Sequence, residues 1–99
     1  MIFKDIKVLG NSYKWSAQQD SQHPDFVLVC EAGEIWVQVG DTYDQAHNEA
    51  YLNGKEECPV SEKTAKRIIT EIIQKGYIES YFNTDVGLML YTNQGLEEN

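Results

Sequence analysis

The chain has 99 residues, 41% hydrophobic and 24% charged, with a formal net charge of −8 from 16 acids against 8 bases. That length makes one domain with a modest core, and the apolar content excludes a disordered chain. No apolar run approaches the roughly 20 residues of a membrane span, and the bases are too few and too scattered to neutralise phosphates, which excludes direct nucleic-acid binding.

The N-terminal MIFKDIKVLG carries charges and no long apolar centre, so it does not read as a signal peptide, and a cytoplasmic chain is expected. Ile6 and Val8 alternate around Lys7, which predicts a strand. Gly10-Asn11 marks a tight turn. SYKWSA then alternates, with Tyr13, Trp15 and Ala17 on one face, completing a β-hairpin. Residues 18 to 25, QQDSQHPD, read as a polar loop broken by Pro24. FVLVC is an unbroken apolar strand, expected to be buried on both faces. EAGE turns the chain. IWVQV returns with Ile35, Val37 and Val39 on one side and Trp36 and Gln38 on the other. Two consecutive hairpins predict a four-stranded antiparallel meander.

GDTYDQAHNEAYLNG follows. Asp41 suits a helix cap and Asp44 the first turn. Tyr43, Ala46, His47, Ala50 and Tyr51 share helical spacing, and Asn53-Gly54 supplies a stop. A rival reading makes Asn53-Gly54 the turn of a hairpin. SEKTAKRIITEIIQKG is the clearest element: Ser61 is an N-cap, and Ala65, Ile68, Ile69, Ile72 and Ile73 form one apolar stripe. Isoleucine is a mediocre helix former, so this helix needs a sheet to pack on. YIESYF stays open between strand and extended turn. VGLMLYT reads as a last strand and NQGLEEN as a polar tail. The expected fold is therefore α+β in two layers: an antiparallel sheet of about five strands in the order β-β-β-β-α-α-β, with the 61–75 helix on one face. One domain spans 1–92, with a tail over 93–99.

Asp41, Asp44 and His47 lie at three-residue intervals, which raises a metal or acid–base site. Helical geometry separates the histidine from the two acids, so it reads better as a hydrogen-bonded histidine on a semi-apolar face. Two histidines four apart with a glutamate would be the strong zinc pattern, and it is absent here. Asp20, His23 and Asp25 surround Pro24, and a loop histidine between carboxylates could serve as a general base. No nucleophile context accompanies it. Cys58 sits between Glu57 and Pro59 in EECPV, where negative charge raises a thiol pKa and makes a poor nucleophile. Cys30 ends an apolar run as a reduced core residue, and a Cys30–Cys58 disulfide stays open as an alternative. No metal spacing and no phosphate-cradling glycine loop occurs, so neither a metal nor a cofactor is expected.

What remains is charge and aromaticity. From Trp15 to Gly54 there is no lysine or arginine, while Asp20, Asp25, Glu31, Glu34, Asp41, Asp44 and Glu49 all fall there. Solubility alone could explain this. Tyrosine and tryptophan within the same stretch favour an interface. If the main helix covers the other side of the sheet, the Tyr13 and Trp15 face is also open. The expected function is a small, non-catalytic, protein-binding inhibitor that masks a basic surface of a partner. Asp41, Asp44 and Glu49 would steer, and Tyr43, Tyr51 and Trp36 would anchor. Toxin-immunity and phage anti-defence proteins share this size and acidity, though no motif supports a family. The alternatives are an oligomerising module that pairs through a sheet edge or the aromatic face, and a small enzyme using His23 or His47.

Overall fold

A computed structural model describes residues 3–20, 23–30, 33–40, 45–78, 89–92 and 94–98 of the chain. The element order is β1 Lys4–Val8, β2 Asn11–Asp20, β3 His23–Cys30, β4 Gly33–Val39, α1 Gln45–Leu52, α2 Glu62–Gln74, β5 Met89–Thr92 and β6 Gly95–Glu98. The six strands form one sheet in sequence order. The α+β class stands, and the first four strands make the expected antiparallel meander.

Four features of the sheet depart from expectation. First, β5 pairs with β4 in parallel, in the register Val37↔Met89 and Val39↔Tyr91. A parallel neighbour needs a connection that carries the chain back along the sheet, and α2 supplies it with a length of roughly 20 Å at 1.5 Å per residue. Second, the sheet has six strands, because Gly95–Glu98, within the expected tail, pairs antiparallel with β5.

Third, the first turn sits one residue earlier than Gly10-Asn11. Val8 pairs with Asn11, so Leu9 and Gly10 are the turn residues, with φ of 50° and 83°. A two-residue hairpin wants positive φ at both central positions because that twist matches the flanking strands. Fourth, the polar loop over 18–25 shrinks to two residues: β2 runs to Asp20, β3 starts at His23, and Gln19 pairs with Pro24. Pro24 is tolerated in a strand because the β3–β4 register begins only at Asp25↔Gln38, so no ladder bond is needed from its missing N–H.

Strand alternation sends Ile6, Val8, Trp15, Phe26, Leu28, Ile35, Val37, Val39, Tyr91 and Leu96 to one face, where they join Ala65, Ile68, Ile69 and Ile72 of α2 in a single core. α2 touches both edge strands, β1 and β6, from that face. Its start is built as expected: Ser61 Oγ accepts the Thr64 N–H at 3.2 Å. Because α2 covers the face that holds Trp15, that residue is 1% exposed and stacks on Phe26, with centroids 5.8 Å apart. The Tyr13–Trp15 face is thus core and not an open aromatic patch. The reverse face instead carries the row Ser16, Val27, Trp36 across β2, β3 and β4. Val27 there is fully buried, so the centre of β3 is buried on both faces, while Asp25 and Val29 beside it on the reverse face are half-buried. No helix among the described residues is long and apolar enough to cross a membrane.

Candidate functional site

Residues 45–55 settle the choice between helix and hairpin. α1 ends with Gly54 N–H donating to Tyr51 O at 3.0 Å and Lys55 N–H donating to Ala50 O at 2.8 Å. This is the paired-bond stop that places a left-handed residue just past a helix, and Gly54 has a φ of 79°. Asn53-Gly54 therefore stops a helix and does not turn a hairpin.

The faces of α1 differ from those expected. Ala46, Glu49 and Leu52 are exposed, while His47, Asn48, Ala50 and Tyr51 are half-buried. Ala46 thus leaves the expected apolar cluster. His47 is held by a polar contact, its Nε2 lying 2.8 Å from Cys58 O. A carbonyl oxygen only accepts, so Nε2–H is the donor. The bond ties α1 to the chain eleven residues on. His47 is the hydrogen-bonded histidine that the helical geometry suggests. Among the described residues, no group of three or more His, Cys, Asp or Glu could hold a metal ion.

Cys58 explains why the loop lies where it does. The described β1–β2 register starts at Lys4, opposite Trp15. Two residues along β2 from there, Cys58 Sγ reaches Ala17 O at 4.0 Å. The thiol is free and buried, so the Cys30–Cys58 disulfide does not form. Its pKa is pushed up by burial, opposed less strongly by the backbone groups of Val60 and Ala17 and by the Lys4 charge. The direction matches the sequence argument. The cause is desolvation and not the flanking glutamates, which are exposed.

Tyr51 lines a cavity of about 250 Å³ with Lys4, Ser16, Ala17, Gln18, Glu57 and Cys58. Glu57 of this lining is exposed, as are Glu49 and Glu56, and Leu52 is 62% exposed. Of the expected binding residues, Glu49 and Tyr51 thus share one helix. Trp36 stands on β4, on the face away from α2, where its Nε1–H donates to Glu34 Oε2 at 3.0 Å. Asp41, Tyr43 and Asp44 lie outside the described residues, as do the side chains of His23 and Cys30.

Sequence reasoning missed Leu52, Glu56 and Glu57 as companions of Tyr51. The i, i+3 spacing of Ala46, Glu49 and Leu52 could have signalled a common outward face. It also missed the bases of α2, where Lys63, Lys66 and Arg67 line an open groove of about 460 Å³ with Thr70, Glu71 and Tyr91. Comparison of the chain with protein-family models, with curated proteins and with solved structures finds no match.

Proposed function

We propose that this chain is a non-catalytic inhibitor that binds a basic partner protein and masks its surface, of the toxin-immunity or anti-defence kind, in a bacterial or phage-infected cytoplasm. The observation that carries the reading is the outward surface of α1 and its loop. Leu52 is exposed, as are Glu49 on the same helix and Glu56 and Glu57 in the loop after it, and its neighbour Tyr51 is half-buried. Carboxylates accelerate encounter with a basic surface, and an apolar anchor slows dissociation. Asp41, Tyr43 and Asp44 precede α1 directly in sequence and belong to the proposed binding set. Trp36 is a further anchor, on β4. A small enzyme using His47 has less support, because its Nε2 is engaged with Cys58 O.

The experiment is an affinity pull-down from native lysate at low and high salt, followed by kinetics on the captured partner. A basic protein retained at low salt and released at high salt is expected. Replacing Asp41, Asp44 and Glu49 together by lysine should slow association by about ten- to a hundredfold and change dissociation far less. An unchanged on-rate and salt dependence in that variant would defeat the steering idea, and specific capture of a metabolite would defeat the inhibitor reading itself.

A further inference from the structure

The two edges of the sheet are finished differently. At β6, Glu71 and Lys75 of α2 take the N–H and C=O of Leu96. At β1, which ends the strand order, β2 is the only strand neighbour among the described residues. The turn Leu9-Gly10 joins Val8 to Asn11, and the closing bond of a β-turn runs between its first and last residues. Bonded and non-bonded pairs then alternate down an antiparallel ladder. Val8, Ile6 and Lys4 therefore turn their main-chain groups to β2, while Lys7 and Asp5 turn theirs to the outer edge. Among the described residues, no main-chain bond reaches Asp5 or Lys7 from outside the hairpin. Both residues are exposed, and the Asp5 side chain is 81% exposed.

The side chains of this edge complement a copy of themselves. In an antiparallel pairing centred on Ile6, Asp5 of each copy faces Lys7 of the other. These are the residues whose main-chain groups point outward, so each facing pair exchanges both N–H···O bonds and matches opposite charges. The same register sets Phe3, just before β1, against Leu9, just after it. Among the described residues, these are two of the three exposed large apolar side chains, at 44% and 60%. A shift of two residues either way sets Asp5 against Asp5 or Lys7 against Lys7. A shift of one sets charged residues of one copy against apolar residues of the other. Lysine on an edge ordinarily discourages pairing. With an aspartate two residues away, it selects one register.

We propose that β1 is an interface for a second copy of this chain, joining the two sheets across a twofold axis by antiparallel β1–β1 pairing. Such a contact needs a self-complementary surface, and an added strand gains affinity from main-chain bonds and specificity from side chains. The net charge of −8 on each copy opposes contact in general. Residues 1–15, however, hold three bases, Lys4, Lys7 and Lys14, against one acid, Asp5. At about 150 mM salt, charges farther than about 8 Å from the edge are largely screened. Asp5 already meets Lys14 Nζ through Oδ1 at 3.0 Å, and a carboxylate has acceptor sites for a second cation. A strand of five residues makes a small interface, so the dimer belongs to the weak class that buries less than about 1,200 Å². Nothing in this contact depends on the inhibitor reading, since α1 takes no part in it.

The test is sedimentation equilibrium of the full chain from about 20 μM to about 1 mM, at about 150 mM salt. A monomer–dimer equilibrium is expected. Asp5→Lys and Lys7→Asp each turn the cross-copy attractions into repulsions and should weaken the dimer about tenfold. Asp5→Lys should do so although it lowers the net negative charge, which separates register from bulk repulsion. The double variant restores the pairs with their signs exchanged, at the native net charge, and should recover most of the affinity. Lys55→Asp, in the loop after α1, changes charge as Lys7→Asp does and should alter the dimer less than about twofold. In the native chain, which needs no variant, hydrogen exchange at the Asp5 and Lys7 amides should slow as concentration rises while that at Ile6 stays constant. The proposal is overturned by a monomer at every concentration, by a dimer that the single variants leave intact, by a double variant that keeps its circular dichroism but stays as weak as the singles, or by exchange at Asp5 and Lys7 that ignores concentration.

Discussion

Cys58 shows how a single side chain can serve position instead of reactivity. Its thiol reaches β2, with Sγ near Ala17 O, while its own carbonyl takes His47 Nε2–H. One residue thus joins α1, the loop and the sheet. Burial raises its pKa, and that has a consequence for stability with a definite sign. Below the ordinary thiol pKa of about 8.5 both folded and unfolded chains hold the proton, and the stabilising contribution is complete. Above it the unfolded chain ionises first, so the folded state binds more protons and stability falls as pH rises, until the raised folded pKa is passed. The expected outcome is that the urea midpoint of the native protein falls from pH 8 to 10 relative to that of Cys58→Ala, whose packing loss is the same at every pH. A difference between the two that stays constant over this range would mean that the thiol is not desolvated. Leu9 illustrates what residue type conceals. Its φ of 50° is one that L-residues rarely take. A leucine gives no sequence signal for it, and so Gly10-Asn11 suggested itself as the turn.

At the level of elements, the edge strand β6 is held from the side by α2. Glu71 and Lys75, one helical turn apart, take both main-chain groups of Leu96: Glu71 Oε1 accepts its N–H at 3.0 Å, and Lys75 Nζ donates to its C=O at 2.7 Å. The pair stands where the next strand of a sheet would pair, which blunts an edge otherwise open to association. Gly95 suits this position by its backbone, and a side chain on it would displace the Glu71 carboxylate. Its φ is 100°, and a Cβ on it would lie 2.6 Å from Glu71 Oε1. Glu71→Ala should cost about 1–2 kcal/mol, because a charged acceptor to a half-buried N–H is lost. Hydrogen exchange at Leu96 should accelerate while the β2–β3 amides stay unchanged, and Glu71→Gln, which keeps an acceptor, should restore most of the protection. Unchanged exchange at Leu96 in Glu71→Ala would show that β6 holds without α2. This strand also marks the limit of what was legible beforehand. The alternation of Tyr13, Trp15 and Ala17, the unbroken FVLVC and the isoleucine stripe of α2 each state their element in local pattern. GLEE has no such pattern, and its pairing depends on side chains more than twenty residues away. The candidate surface was legible in the same uneven way: residue types flagged Glu49, Tyr51 and Trp36, and helical spacing could have flagged Leu52, but only packing shows that Trp36 faces away from α2.

For the molecule as a whole, charge acts on folding and on recognition with opposite sign. The chain carries a net charge of −8. Two ion pairs stand out among the described residues. Lys14 Nζ to Asp5 Oδ1 spans 3.0 Å, with side chains 63% and 81% exposed, and Lys75–Glu71 spans 3.7 Å. Exposed pairs of this kind contribute about 0–1 kcal/mol, whereas the unbalanced carboxylates repel one another throughout the fold. Raising sodium chloride from about 10 to about 150 mM shortens the screening length from about 30 to about 8 Å. It should relieve more repulsion than it removes attraction. The melting temperature is therefore expected to rise by about 2–8 °C, the shift that about 0.5–1 kcal/mol produces in a domain of this size. A fall over the same range would show that specific ion pairs outweigh the net charge. The same salt should slow the encounter of the α1 surface with a basic partner, because steering decays over the same length. Stability rising while association slows, on one salt axis, is what the proposed inhibitor reading predicts, and a partner whose on-rate ignores salt would count against it.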